Sequence, residues 1–232
     1  MNEAKVARAL DHIRQGYAQE GMNLLKEEFI LNPTDWRIHY HTGIAWRIIG
    51  DFDKAINSYQ QAVNFFPDNF MNHYGLGIAY QLNDDYPNAL KSLIQAHQLE
   101  NSSVEVLNSL GMTYKKIGDI EKAIEVYNFA VQTLMNNLMA ELESDGINPT
   151  NLSPDKKVAI VNMDMFQLVP IKLKENNLYC TLQNNIGVCH ANLGQYEEAK
   201  KAFREAIAFT PDGLDYNSPK IALRQLEDED NI

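Results

Sequence analysis

A 34-residue period constrains this chain more than any other feature of its sequence. Gly43, Gly77 and Gly111 follow one another at steps of 34 residues. A period of this length indicates a repeat array, in which each unit is one supersecondary element that buries its apolar face against its neighbours. Five further sets of positions keep the same step: Trp46, Tyr80 and Tyr114; Asp51, Asp85 and Asp119; Ala55, Ala89 and Ala123; Tyr59, Leu93 and Tyr127; Ala62, Ala96 and Ala130.

The residue types within one unit indicate helices. In the segment GDFDKAINSYQQAVNFFPDN, residues 50–69, an acidic turn opens a helix, two alanines allow close helix contact and aromatic side chains fill the remaining space. Pro67 ends this helix because proline cannot continue it, and Pro33 has the same phase one unit earlier. The segment therefore predicts a helix that packs closely on its neighbours.

These motifs resemble the tetratricopeptide repeat family, whose 34-residue helix–turn–helix unit carries the same order of Gly, aromatic, Ala, aromatic, Ala and Pro. The resemblance implies an all-α fold, a right-handed superhelical solenoid of such repeats. The chain's own residues add an inserted helical arm and a C-terminal capping helix to this expectation. The resemblance also implies a divergent N-terminal repeat at 2–35 and further repeats at 36–69, 70–103, 104–137 and 180–213.

The C-terminal segment SPKIALRQLEDED, residues 218–230, is expected to form a capping helix followed by an acidic tail. Ser218 can cap this helix and Pro219 suits its first turn. We expect Ile221, Ala222 and Leu226 to cover the last repeat.

An insertion interrupts the array, since Gly111 and Gly187 are separated by one repeat plus 42 residues. Leu134, Leu138 and Leu142 continue the helical stripe, so the second helix of the 104–137 repeat is expected to extend to about residue 145. Residues 138–179 are then expected to form a projecting helical arm with an apolar tip.

The tip contains the run VAIVNMDMFQLVPI, residues 158–171, whose apolar side chains favour burial. Three placements are open. The run folds back on its own arm or on the convex side of the repeats, it contacts a second copy or another partner, or it lies in the groove of its own chain. Its candidate contact residues are Val158, Val161, Met165, Phe166 and Leu168.

In the tetratricopeptide repeat family the first helix of each unit lines a concave groove. Transferred position by position, that geometry implies a partner-binding groove in this chain. Its candidate residues are Arg37, Tyr40, His41, Ile44, Arg47, Tyr74, Ile78, Gln81, Asn108, Met112, Lys115, Lys116, Asn184, Asn185 and Val188.

These candidates combine an apolar line with cations and amides, which suits a peptide with hydrophobic anchors and acidic character. Asn side chains can bind its backbone. Some family members bind the terminal carboxylate of chaperones with Lys, Arg and Asn side chains on three successive first helices. Here Val6 and Leu10, or Tyr40 and Ile44, occupy the corresponding first positions. That clamp is therefore absent.

The composition argues against several further classes of function. The chain carries 31 acidic and 20 basic residues, a formal charge of −11, which disfavours binding to nucleic acid or to an anionic membrane. No apolar run approaches the roughly 20 residues that span a bilayer. The first residues, MNEAKVARALDHIRQ, lack the apolar core of a signal peptide, so we expect a cytoplasmic protein.

We expect no cofactor, no metal and no enzymatic activity. His39 and His41 are two residues apart and diverge on a helix, and Gly75 and Gly77 lack the third glycine of a dinucleotide site. The leading hypothesis is a protein–protein interaction scaffold or adaptor that binds a partner peptide in its groove and through the 146–171 insertion. The alternative is a structural protein that forms homo-oligomers through that apolar insertion. An RNA-binding repeat would need basic stripes that the composition does not supply.

Overall fold

The computed structural model describes residues 1–144, 172–174 and 177–229, and none of these residues forms a β-strand. The chain divides into two compact units, Met1–Ile117 and Gly118–Ile232. The first unit contains helices α1 (Glu3–Arg14), α2 (Ala18–Leu31), α3 (Trp36–Ile49), α4 (Phe52–Phe65), α5 (Phe70–Leu82), α6 (Tyr86–Leu99) and α7 (Val104–Ile117). The second unit contains α8 (Ile120–Ser144), α9 (Asn177–Asn192), α10 (Tyr196–Ala208) and α11 (Ser218–Glu229).

The repeated aspartates begin the second helices of the repeats. The side chain of Asp51 accepts a hydrogen bond from the backbone N–H of Lys54 at 3.1 Å, and Asp85 accepts one from Asn88 at 3.3 Å. Such N-caps satisfy a backbone donor that has no partner within the helix. The preceding turn at Gly50 has a φ of +89°, a conformation that favours glycine.

The repeated glycines allow the two helices of a repeat to touch. A Cβ atom on Gly43 would lie 2.9 Å from the ring of Tyr59, so only glycine lets this buried ring reach the backbone of α3. The same arrangement joins Gly77 to Leu93 at 2.7 Å and Gly187 to Phe203 at 2.6 Å. The all-α repeat fold expected from the 34-residue period is confirmed.

In the first unit the first helices of the repeats lie on the inner side. Each helix from α1 to α6 contacts the next one along the chain. Contacts also join α1 to α3, α3 to α5 and α5 to α7, whereas α2, α4 and α6, which are fully described, do not contact one another. Because the first helices are closer together than the second helices, α1, α3, α5 and α7 line the concave surface of this unit.

In the second unit α9 packs against α8, α10 and α11. Leu134, Leu138 and Leu142 are buried along α8, which is 25 residues long. The capping helix α11 also packs on α10, but Ile221 is 58% exposed and does not cover the last repeat as the sequence suggested. Pro219, in the first turn of α11, is the buried residue instead.

Candidate partner-binding groove

A pocket of about 470 Å³ opens on the concave surface of the first unit. It crosses three successive first helices, α1, α3 and α5, and brings together three of the predicted groove residues, Arg37, Tyr40 and His41. The apolar residues that line it with them are Met1, Val6, Ala7, Leu10, Trp36 and Met71.

The wall of the pocket formed by α3 is aromatic, and its rings pack against further aromatic side chains. Trp36 and Tyr40 are one helical turn apart, and their ring centroids lie 6.4 Å from each other in an edge-to-face arrangement. Tyr40 also meets the buried ring of Tyr59 at 5.6 Å, and Trp36 meets Phe66 at 5.5 Å. Burial raises the pKa of Tyr40, so its hydroxyl is uncharged at neutral pH. The wall is therefore a fixed, neutral surface.

His41 adds a polar but uncharged group to the pocket. Burial lowers the pKa of His41, because a charged imidazolium would lose hydration there. Within the described ranges, its Nδ1 atom has no hydrogen-bond partner. The neutral ring is thus the expected form at neutral pH.

The ionised side chains around the pocket are paired within the chain. Arg37 donates from Nη2 to Asp35 Oδ2 at 2.7 Å and from Nε to Asp35 Oδ1 at 2.9 Å, and it also lies 3.8 Å from a carboxylate oxygen of Glu3. The hydrogen bond from Arg37 lowers the pKa of Asp35 to about 2. Arg14 forms a second pair with Asp11 at 3.0 Å. The positive charge predicted from Arg37 is therefore compensated.

The remaining predicted residues of α3 and α5 differ in how much surface they offer. Ile44 packs against two hydrophobic clusters of this unit, one that includes Leu25 and one that includes Tyr59, and Arg47 is exposed. Tyr74 and Ile78 are half-buried. Gln81 is only 8% exposed, because its Nε2 atom donates to the carbonyl of Ser109 at 2.8 Å and to the hydroxyl of Thr113 at 2.6 Å. Its amide joins α5 to α7 and leaves little surface for a partner.

On α7, Asn108 and Lys115 are half-buried, whereas Met112 and Lys116 are exposed. The Nζ atom of Lys116 lies 6.0 Å from the ring centroid of Tyr86, a cation–π distance. Arg47 on α3 and Lys116 on α7 are thus exposed cations of the first unit that do not line the pocket.

The other predicted site residues belong to the second unit or lie outside the described residues. On α9, Asn184 is buried, Asn185 is half-buried, and Val188 lines a cleft of about 550 Å³ with Phe203 and Leu226. The insertion contacts lie outside the described residues: Val158, Val161, Met165, Phe166 and Leu168.

Nine of the twelve residues that line the pocket were not among the predicted set, and the sequence contains a signal for three of them. Leu10 precedes the predicted Ile44 by one repeat length of 34 residues. Trp36 lies four residues before Tyr40, and Met71 lies three before Tyr74, so each shares a helix face with a predicted residue. Extending the apolar columns back by one repeat would have located this pocket.

Metal ligation and membrane crossing both depend on features that the described part of the chain lacks. No group of three or more His, Cys, Asp or Glu side chains is arranged there to hold a metal ion. No helix in residues 1–144, 172–174 and 177–229 is both long and apolar enough to cross a bilayer.

Solved structures share this fold at low sequence identity. MamA from Desulfovibrio magneticus RS-1 is 18% identical, with 89% of this chain and 93% of that chain covered and a TM-score of 0.64. Pseudomonas aeruginosa PilF is 13% identical, with 99% and 85% covered and a TM-score of 0.67. The APC/C hetero-tetramer Cut9–Hcn1 is 15% identical, with 98% of this chain but only 36% of that chain covered and a TM-score of 0.65.

Sequence comparison identifies the repeats themselves. No curated protein matches the sequence. A model described as "TPR repeat" matches residues 47–84, and two models described as "Tetratricopeptide repeat" match residues 104–132 and 180–212. These segments include repeated glycines, aspartates and alanines that pack and cap the helices. The chain therefore contains tetratricopeptide repeats in these three segments.

Proposed function

We propose that this protein is a non-enzymatic scaffold or adaptor, and that it binds a partner peptide along the first helices of its first unit. The observation that carries the proposal is the pocket that crosses α1, α3 and α5. It combines a buried apolar floor, an aromatic wall and a polar rim, the combination by which proteins bind ligands with specificity. A peptide bound there would contact the first helices of three repeats.

Charge on the same surface supports a partner with acidic residues. Arg47 and Lys116 are exposed on α3 and α7, in a chain whose formal charge is −11. Opposite charges on the partner would accelerate association and fix its register. The structurally similar Cut9–Hcn1 is a hetero-tetramer, and we infer a protein partner here too. Two buried free cysteines, Cys180 and Cys189, fit a reducing compartment, and we propose a cytoplasmic location.

The test is a charge reversal in the groove, measured with random 12-residue peptides displayed on phage. Peptides selected on the full chain are re-measured on the double variant Arg47→Glu with Lys116→Glu. Losing two attractive charges and gaining two repulsive ones should weaken binding by about tenfold or more at low salt. The matched control is Lys91→Glu with Lys201→Glu, the same charge change at exposed positions on second helices. Equal binding by the groove variant and the control would contradict the proposal.

A further inference from the structure

The pocket across α1, α3 and α5 is mainly apolar and its charges are paired, whereas Arg47 and Lys116 are exposed cations outside it. We propose that it takes one bulky, uncharged apolar side chain of the bound peptide, aromatic or long aliphatic, and that it disfavours a carboxylate. This inference rests on the proposed function and specifies which residue of a partner is recognised, and where.

The floor and walls of the pocket fit an apolar anchor. Val6 and Leu10 are buried and form the floor, while Trp36 and Tyr40 stand beside it on α3. Met71 is 40% exposed at the opening, and methionine adapts its shape readily to an incoming group. A volume of about 470 Å³ lies within the usual range for ligand pockets, and an aromatic ring entering it could pack edge-to-face on the α3 rings.

The charges at the rim argue against a carboxylate as the anchor. Four ionised side chains line the pocket, two acidic and two basic: Glu3, Asp11, Arg14 and Arg37. The two arginines are both paired inside the chain, and the bidentate bond from Arg37 to Asp35 uses two of its donors. A carboxylate would lose its hydration on entering and would have to compete with Asp35 for Arg37. An apolar side chain faces no such competition.

The nearest exposed cation on α3 predicts how far an acidic residue of the peptide lies from the apolar anchor. Arg47 follows Tyr40 by seven residues on the same helix, a separation of roughly 10 Å at about 1.5 Å per residue. An extended peptide covers that distance in about three residues, at about 3.3 Å each. The expected partner motif is therefore an apolar anchor with an acidic residue about three positions away.

The fluorescence of Trp36 reports directly on the pocket. The chain has two tryptophans, and Trp46 lies in a different cleft, beside Met22 and Phe29. In a Trp46→Phe protein, emission changes come from Trp36 alone. The probes are acetylated and amidated peptides of the form Gly-Ser-Gly-X-Gly-Ser-Asp-Asp-Gly, in which X is Phe, Leu, Ala or Glu. Peptides with Phe or Leu should bind about tenfold more tightly than those with Ala or Glu. Equal affinity for Phe and Ala, or tighter binding of Glu, would overturn the inference.

Three substitutions test whether the preference arises in the pocket. Met71→Glu should abolish the preference for Phe over Ala. Its control is Ile94→Glu, the same charge change at a residue that is 37% exposed on the second helix α6, and it should leave the preference intact. Asp35→Asn keeps the helix cap but removes the carboxylate paired with Arg37, whose remaining charged partner is Glu3, so it should improve binding of the Glu peptide. A preference that survives Met71→Glu would place the anchor elsewhere.

The outcomes separate this inference from the proposed function. If the reversal of Arg47 and Lys116 weakens every peptide while the identity of X has no effect, the groove binds peptides but the anchor inference fails. If no peptide changes the Trp36 emission of a folded protein at millimolar concentration, the pocket is not a peptide site and the anchor inference fails, whereas loss of the phage-selected peptides on charge reversal would still support binding along the first helices. Circular dichroism of each variant confirms that it is folded.

Discussion

The helix α3 has two regions with different demands on the sequence, the contact with its partner helix α4 and the surface that faces the concave side. At the contact, Gly43 recurs as Gly77 and Gly111 without change. On the concave surface, Tyr40 is followed at the same repeat position by Tyr74 and then by Asn108. Every repeat must solve the same helix-packing problem, whereas each repeat meets a different part of a bound partner. Repetition therefore identifies the fold, and departures from repetition identify the candidate site.

The largest effect is expected from Tyr59→Ala, which removes the ring at the helix contact. This ring is 1% exposed and fills the space between the backbones of Gly43 and Gly75. Its loss should lower the free energy of unfolding by about 3–5 kcal/mol, as large-to-small core substitutions do. Urea unfolding measures the change, with Tyr196→Ala as an exposed control that should change it by less than about 0.5 kcal/mol. Similar values for the two variants would contradict the packing role assigned to Tyr59.

A smaller effect in the same region is expected from Gly77→Val. A Cβ atom there would come within 2.7 Å of Leu93, which is fully buried on α6, so either the helices separate or the leucine leaves its rotamer. Overpacking of this kind costs about 1–3 kcal/mol. The melting temperature should fall accordingly. A control substitution must lie at an exposed position, which excludes the buried Ala79. Lys91→Val, on the exposed side of α6, is the suitable one, and a fall as large as that of Gly77→Val would contradict the packing argument.

The sequence predicted the first of these regions better than the second, for a physical reason. The Gly, Ala and Asp columns perform the same packing or capping in each repeat, so a fixed period reveals them. The pairing of Arg37 with Glu3 joins α3 to α1, a contact that depends on the angle between two helices rather than on residue spacing. The inward orientation of Gln81 depends in the same way on acceptors from α7. Residue identity and spacing therefore located the candidate site residues, but they did not show that Arg37 is paired and that Gln81 is turned inward.

Asp35 links the two regions, because it caps α3 and also neutralises Arg37 beside the pocket. The bond to Arg37 lowers the pKa of Asp35 from 3.8 to about 2. The folded pKa is below the unfolded one, so this stabilisation is complete above about pH 4 and is lost as the pH falls towards 2. Asp35→Asn should therefore lower the free energy of unfolding at pH 7 by at most about 2.5 kcal/mol. The difference from the unmodified chain should shrink between pH 4 and pH 2 in unfolding curves, and a difference independent of pH would contradict it.

The smallest effect on stability, and the sharpest contrast with Tyr59, is expected from Met71→Ala at the pocket opening. Met71 is 40% exposed, so its truncation should change the free energy of unfolding by less than about 0.5 kcal/mol. The same truncation removes part of the surface that an apolar anchor would cover, and affinity for the Phe peptide should fall severalfold. Unfolding and Trp36 fluorescence measured on one preparation give both quantities. A loss of stability without a loss of affinity would assign Met71 to the fold, and the boundary between the packing region and the site would then move to the outer edge of the pocket.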